Sequence, residues 1–298
     1  MSTHLSSSAV SPARSDAIPL LCAALAAASF ISMDSVIKLM SLRFDALQLS
    51  FFRFAGGSVF AVALWLWKRS PLPSRDAWRL HLVRSALLLC SLLGYFYALT
   101  QLPLVQAVTI SYLAPIFVAV LAIPVLKERP AGSIWLALAA GLGGVLISIL
   151  PELRASLSGT QGSHLLGMAS AAAAAVSFAG VMLLARRQSG LDSIWTILLV
   201  QSLLPLLLLA APAIWRWQAI QTGDIALILL AGGLGTLGLL CLTYAFTRLE
   251  ASRVAPLEYS GLVWATLLGY LLFGELPTLT TVASAALIVG GCFLLLRR

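Results

Sequence analysis

The chain is short of charge. Asp, Glu, Lys and Arg make up 10% of its 298 residues, while 60% are hydrophobic. A soluble globule carries about 25% charged residues, so a water-covered globule is excluded. Cysteine is also scarce. The four present (Cys22, Cys90, Cys241 and Cys292) lie inside apolar runs, with no CxxC pair and no histidine at metal-ligand spacing. That excludes a disulfide framework and a zinc site, and leaves each thiol as a small hydrophobe. Histidine is limited to His4, His81 and His164, all at loops or span edges. Absent, too, are HExxH, GxSxG, a phosphate-binding lysine motif and paired carboxylates on one loop. No enzyme class finds its residues here, and no metal or cofactor is expected. Long loops are missing as well, which leaves no room for a separate soluble domain.

What is there is apolar sequence in runs that match a bilayer. About 20 apolar residues span the hydrocarbon as a helix, and ten such runs can be drawn: 18–40, 46–67, 79–100, 104–126, 131–150, 164–185, 191–214, 225–247, 252–273 and 277–296. Turn residues separate them, among them Pro71, Pro73, Pro130, Pro151, Gly159, Gly190, Gly223 and Pro277. The joints at Leu102-Pro103 and Leu249-Glu250 are weakest. An all-α polytopic membrane protein is therefore expected, with the bilayer as its medium. The Ser-rich segment 1–17 before the first run resembles a signal peptide, but that run is too long for a signal core. It reads as a retained first span preceded by a polar tail.

The net charge of +8 does not indicate nucleic acid, because the cations sit in short loops between apolar runs. Ten spans put both termini on one side. That side collects Arg14, Lys68, Arg69, Arg75, Arg79, Lys127, Arg129, Arg186, Arg187, Arg248, Arg253, Arg297 and Arg298, against Lys38, Arg43, Arg154 and Arg216 on the other. The positive-inside rule then places both termini in the cytoplasm of a cell, or bacterial inner, membrane.

The second half also repeats the first. Tyr97, Ala98, Thr100 and Leu102 recur 147 residues later as Tyr244, Ala245, Thr247 and Leu249; Tyr112 recurs as Tyr259, Glu128 and Pro130 as Glu275 and Pro277, and Gly143-Gly144 as Gly290-Gly291. Earlier in each half the offset is 148 for Ser29, Phe30 and Lys38 against Ser177, Phe178 and Arg186, and 147 for Asp45 against Asp192. Five spans per half is an odd number, so the halves enter the membrane from opposite sides. The expected fold is an inverted repeat, with a tail at 1–17, repeats at 18–150 and 164–298, and a linker at 151–163 outside the membrane.

Ionisable and aromatic residues inside spans mark the candidate substrate path, since each needs a cavity or a partner there. Asp34 shares a helix face with Lys38, so it either pairs with it or faces a cavity. Glu258 follows Pro256 in span 9 and either pairs with Arg253 or holds a cation or proton. Arg53 is read as structural, pairing with Asp34 or with helix-end carbonyls. Arg84 is expected to snorkel to the near surface. Tyr95, Tyr112, Tyr244 and Tyr259, the symmetry partners Phe30 and Phe178, and the mid-span Trp264 complete the set with Ser111, which stands opposite Glu258 in the repeat. The other tryptophans (Trp65, Trp67, Trp78, Trp135, Trp195, Trp215 and Trp217) lie near span ends and read as an interfacial belt. Pro115 and Pro256 are kink or hinge candidates. The glycines Gly232, Gly233, Gly235 and Gly238 lie in an apolar span, where they serve close helix packing and not phosphate binding.

These features resemble the drug/metabolite transporter superfamily, EamA type. The residues that carry the resemblance are Arg53 in span 2, Tyr97-Ala98 and Tyr244-Ala245 near the ends of spans 3 and 8, and the turns Lys127-Glu128-Arg129-Pro130 and Gly274-Glu275-Leu276-Pro277. It covers 18–297. Within that superfamily the chain is most similar to the YddG-type exporters of aromatic and other neutral amino acids. The resemblance implies a basket-like bundle in which spans 1, 3, 4, 6, 8 and 9 line a central cavity, alternating access, and glutamates at the two turns that act as caps. It implies export of small amphipathic metabolites, neutral and aromatic amino acids foremost, by a monomer. A multidrug or cation exporter of the same fold is the alternative. A passive channel and a membrane-embedded lipid-modifying enzyme stand behind it.

Overall fold

The computed structural model describes residues 17–126, 162–215, 217–249 and 254–276, with scattered positions in 132–147 and 279–290. Spans 5 and 10, the tail, the linker and the Lys127–Pro130 turn lie mostly or wholly outside the described residues. The elements are α1 (Ala17–Met40), α2 (Ala46–Lys68), α3 (Arg75–Gln101), α4 (Leu104–Ser111), α5 (Ala114–Leu126), α6 (Gly162–Gln188), α7 (Ile194–Trp215), α8 (Thr222–Arg248), a 3-10 turn (Ala255–Ser260) and α9 (Gly261–Phe273). Among the described residues there is no strand. Six helices (α1, α2, α3, α6, α7 and α8) are long and apolar enough to cross a membrane, and two shorter apolar helices accompany them.

Capping explains where the helices begin. Asp45 accepts the Gln48 N–H at 2.8 Å, Ser74 the Ala77 N–H at 3.3 Å and Ser193 the Thr196 N–H at 3.1 Å. Each satisfies an N–H that the first turn leaves without an acceptor. α8 starts on a capping box between Gln221 and Asp224. At the far ends α2 stops on Arg69 at φ 47°, and α9 on Gly274 at φ 64°, where glycine carries no steric cost.

These caps adjust the repeat register. α2 and α7 are capped at Asp45 and Ser193, a spacing of 148 with the Gln48 and Thr196 amides in step. The match of Asp45 to Asp192 is thus corrected by one residue. α3 and α8 begin at Arg75 and Thr222, so the residue is lost in the loop between the second and third helices of each half.

The ends of α3 and α8 repeat in geometry. The Leu102 and Leu249 amides each reach back 2.8 Å to Ala98 O and Ala245 O. The Thr100 and Thr247 hydroxyls each donate 2.7 Å to Tyr97 O and Tyr244 O. Both weak joints are therefore true helix ends. Lys38 donates to Leu102 O at 2.6 Å and Arg186 to Phe246 O, so the paired cations serve the exposed carbonyls at these ends.

Packing follows the same exchange: α1 lies along α8, α3 along α6, α5 against α6 and α9 against α1, while α2 meets α7 and α8. At the α2–α8 crossing a methyl group on Gly232 would lie 2.1 Å from Gly56 C, and one on Gly56 would lie 2.2 Å from Ile228 O. The backbones touch there, as small residues allow in a membrane.

Spans 4 and 9 are not continuous helices. α4 ends at Ser111, Tyr112 caps it, and α5 restarts at Ala114. Pro115 occupies the first turn of α5, where its missing N–H costs nothing. Span 9 begins as a 3-10 turn and becomes α9 at Gly261. The two interruptions face each other, since a Cβ on Gly261 would lie 2.9 Å from the Tyr112 hydroxyl. The side chain of Pro256, within the 3-10 turn, lies outside the described residues.

Candidate functional site

One cavity of about 170 Å³ opens inside the bundle. Each wall follows the period of its helix. α1 contributes Ala27, Phe30, Ile31 and Asp34; α3 contributes Arg84, Leu88, Ser91, Leu92 and Tyr95; α6 contributes Ala174, Ala175, Phe178, Met182 and Ala185. α8 adds Leu239, Leu242 and Phe246, the α4–α5 junction adds Ser111 and Tyr112, and the 3-10 turn adds Glu258. α2 and α7 reach it through Arg53 and Gln201.

Under the repeat offsets the wall positions pair. Phe30 matches Phe178, and Ala27 matches Ala175. The polar positions do not keep their chemistry: Asp34 corresponds to Met182 in the other half, Arg53 to Gln201, Tyr95 to Leu242, and Ser111 to Glu258. Repeat-equivalent wall positions thus carry an asymmetric set of functional groups.

Asp34 is buried and accepts a 3.1 Å bond from the Tyr95 hydroxyl. Arg53 lies within electrostatic reach of it but makes no ion pair with it within 4.0 Å. The Arg53 guanidinium fills a slot that glycines create. A Cβ on Gly235 would lie 3.0 Å from its Nη2, and one on Gly57 3.7 Å from its Nη1. The Phe30 ring packs on Gly238, where a Cβ would lie 2.7 Å away. The Glu258 carboxylate has no hydrogen bond or ion pair to a described residue. An ionised carboxylate in an apolar wall is costly without a partner, which makes Glu258 available to one that a ligand brings.

Seven sequence candidates meet at this cavity: Phe30, Asp34, Tyr95, Ser111, Tyr112, Phe178 and Glu258. Three do not. Trp264 is 42% exposed and faces outward from α9, and no described residue of α9 lines the cavity. Tyr244 is half-buried near the end of α8 and does not line the cavity. The Tyr259 side chain lies outside the described residues. Two further readings, for Asp34 and Arg84, are decided by the geometry. Asp34 does not pair with Lys38, which reaches Glu275 at 3.5 Å; Tyr95 and Arg53 offer Asp34 closer company inside the bundle. Arg84 does not snorkel: it is 2% exposed and donates 2.6 Å to Gln188, since α3 turns that face inward. His81, in the second turn of α3 at the edge of its span, is fully buried, and Cys90 faces outward.

Glu275 behaves as a cap. Its carboxylate accepts the Leu104 N–H at 3.1 Å and attracts Lys38. Among the described residues no three metal-ligating side chains gather.

Sequence reasoning missed Gln201 altogether. An amide in the middle of a span, where it needs partners, was the available signal. Arg53 was read as a partner of Asp34 or of helix-end carbonyls and left out of the substrate path, and Arg84 was placed at the near surface.

Comparison with known proteins agrees with this architecture. Residues 17–150 and 165–297 match the model of the EamA-like transporter family. The pseudopaline exporter CntI of Pseudomonas aeruginosa is 30% identical over 281 residues, covering 93% of this chain and 95% of that protein. The S-adenosylmethionine uptake transporter of Rickettsia prowazekii is 24% identical over 258 residues, covering 86% and 84%. One solved crystal structure, 21% identical, superimposes with a TM-score of 0.64 over 91% of this chain and 95% of its own. That likeness speaks for the fold alone.

Proposed function

We propose, for a chain that belongs to the EamA-like transporter family, that it is a secondary transporter of small amphipathic metabolites that carry an amino group, neutral and aromatic amino acids foremost. It works as ten spans in two inverted repeats, 18–150 and 164–298, joined by the 151–163 linker, with both termini cytoplasmic in the inner membrane. The exchange of packing partners between the halves (α1 with α8, α3 with α6) supports that symmetry. Alternating access closes the cavity at one end and then the other. The interruptions at Ser111–Ala114 and Ser260–Gly261 are the places where spans 4 and 9 bend, with Pro115 and Pro256 as hinge residues.

One observation carries the reading. A cavity walled by repeat-equivalent helices holds two carboxylate side chains, Asp34 and Glu258, among Phe30, Phe178, Tyr95 and Tyr112. Carboxylates beside aromatic faces favour a cation on an apolar body, and an amino acid supplies an ammonium on such a body. The relatives' names agree in scale, since S-adenosylmethionine is itself an amino-acid derivative. They span both export and uptake. Export follows here when the substrate accumulates in the cytoplasm, because an alternating-access carrier runs down its gradient.

The same two carboxylates also favour the multidrug or cation exporter. Flux in proteoliposomes separates the readings. Labelled phenylalanine, leucine and S-adenosylmethionine are tested against an organic monocation such as tetraphenylphosphonium, with and without an imposed pH gradient. Saturable amino-acid flux supports the proposal, and a response to the gradient identifies proton coupling. Flux of the monocation alone replaces it with the second reading, and unsaturable current would indicate a channel.

A further inference from the structure

The buried polar atoms around Arg84 form a directed chain. Arg84 Nη1 donates to Gln188 Oε1 at 2.6 Å, Gln188 Nε2 lies 3.1 Å from His81 Nδ1, and His81 Nε2 lies 2.8 Å from Asp192 Oδ2. Only one assignment satisfies every link. The Gln188 oxygen is taken by arginine, so its amide N–H faces His81. Nδ1 is then the acceptor, and Nε2 carries the hydrogen given to Asp192. His81 and Gln188 are completely buried, Arg84 is 2% exposed, and the Asp192 side chain is 6% exposed. Solvent barely reaches these side chains.

The chain ends in the cavity. Arg84 lines it, and its Nε has no hydrogen-bond partner. No carboxylate of the described residues lies within ion-pair distance of Arg84. A buried guanidinium with spare donors and no counter-ion is costly unless an anion arrives to use them.

The repeat shows that the fold does not require this polarity. The positions equivalent to His81, Arg84, Gln188 and Asp192 are Ile228, Ala231, Met40 and Phe44. Met40, Phe44 and Ala231 belong to one apolar core cluster, and Ile228 packs against it. The corresponding positions in the other half are thus filled by hydrocarbon, and the ion pair nearby, Arg43–Asp224, does not line the cavity. A purely structural role for the polar chain would have cheaper solutions, and one is present in the same molecule.

We infer that Arg84 recognises the carboxylate of the transported molecule, and that Gln188, His81 and Asp192 are positioning residues that hold its guanidinium at the cavity wall. The substrate class narrows to molecules with a free carboxylate. With Asp34 and Glu258 as ammonium partners, it becomes zwitterionic amino acids over plain amines. This rests on the cavity being the substrate site.

The test is ligand-induced thermal stabilisation of the purified full chain in nanodiscs, which needs no transport. The probes are 3-phenylpropionate and its neutral isostere 3-phenylpropanamide. Wild-type protein should be stabilised by the acid and far less by the amide. Arg84→Gln should abolish the difference, a loss of roughly 10- to 100-fold in acid affinity for a charge-assisted bond. Arg84→Lys keeps the charge without the planar fork and should retain the preference at weaker affinity, which covers the case where Arg84→Gln fails to fold. Gln188→Leu should weaken acid binding and leave amide binding unchanged; a merely structural residue would lower the melting temperature and leave the acid-to-amide ratio intact. Equal response of the wild type to acid and amide, or to neither, overturns the inference, as does a preference that survives Arg84→Gln. An acid preference found in a protein that moves no amino acid would instead overturn the transport reading and leave the carboxylate site standing.

Discussion

Gly232→Ala tests the packing that shapes the site. The added Cβ would sit 2.1 Å from Gly56 C, 2.3 Å from Gly57 N and 2.5 Å from Gly56 Cα. These are backbone atoms on a helix, so no side chain can swing aside. Ordinary contact begins at 3.4 Å, and α2 and α8 must therefore part by roughly 1 Å. Such overpacking costs about 1–3 kcal/mol, while the glycine-to-alanine gain in helix propensity returns at most about 1 kcal/mol. A net loss of about 1–2 kcal/mol follows. Function should suffer further, because Arg53 sits in the slot between Gly57 and Gly235 that this crossing sets. Gly223→Ala is the control, since a Cβ there meets nothing within 4 Å. Unfolding of the two variants in mixed detergent micelles, followed by tryptophan fluorescence, gives the comparison. Gly232→Ala should unfold more readily than wild type and Gly223→Ala should not. Equal stability of the two would refute the contact argument.

Three other outcomes follow from the geometry. Glu275→Ala strips the acceptor from the Leu104 N–H and the counter-ion from Lys38 and should cost about 1–2 kcal/mol in the same unfolding assay, whereas Glu275→Gln keeps the cap and should recover about half. Trp264→Ala should leave flux unchanged because the ring faces outward, while Tyr95→Phe, which removes the donor to Asp34, should lower flux several-fold with little change in melting.

Much of this arrangement was legible in the sequence, for reasons that can be named. A helix repeats its face every 3.6 residues, so Phe30 and Asp34, or Tyr95 with its neighbours, had to share a wall once the spans were drawn. The 147-residue repeat then paired the helices. Other features depend on contacts that spacing does not encode. Arg84 in isolation resembles any cation near a span end, and it turns inward because of Gln188, more than 100 residues away. Trp264 and Glu258 lie in one span, yet the change from 3-10 turn to α-helix at Gly261 rotates the faces between them, so only Glu258 reaches the cavity. The one-residue change of register was misplaced because Asp192 beside Ser193 imitates the Asp45 cap. Only the hydrogen bonds show that Ser193 fills that role.

The central claim is that the cavity holds the transported molecule through its two carboxylates. Amino-acid counterflow in proteoliposomes, comparing wild type with the isosteric double variant Asp34→Asn, Glu258→Gln, tests it most directly. The variant should keep its melting behaviour and lose flux by at least roughly 10-fold, as expected when charge-assisted contacts to a substrate are removed. Flux at the wild-type rate would contradict the claim and move the site elsewhere in the bundle.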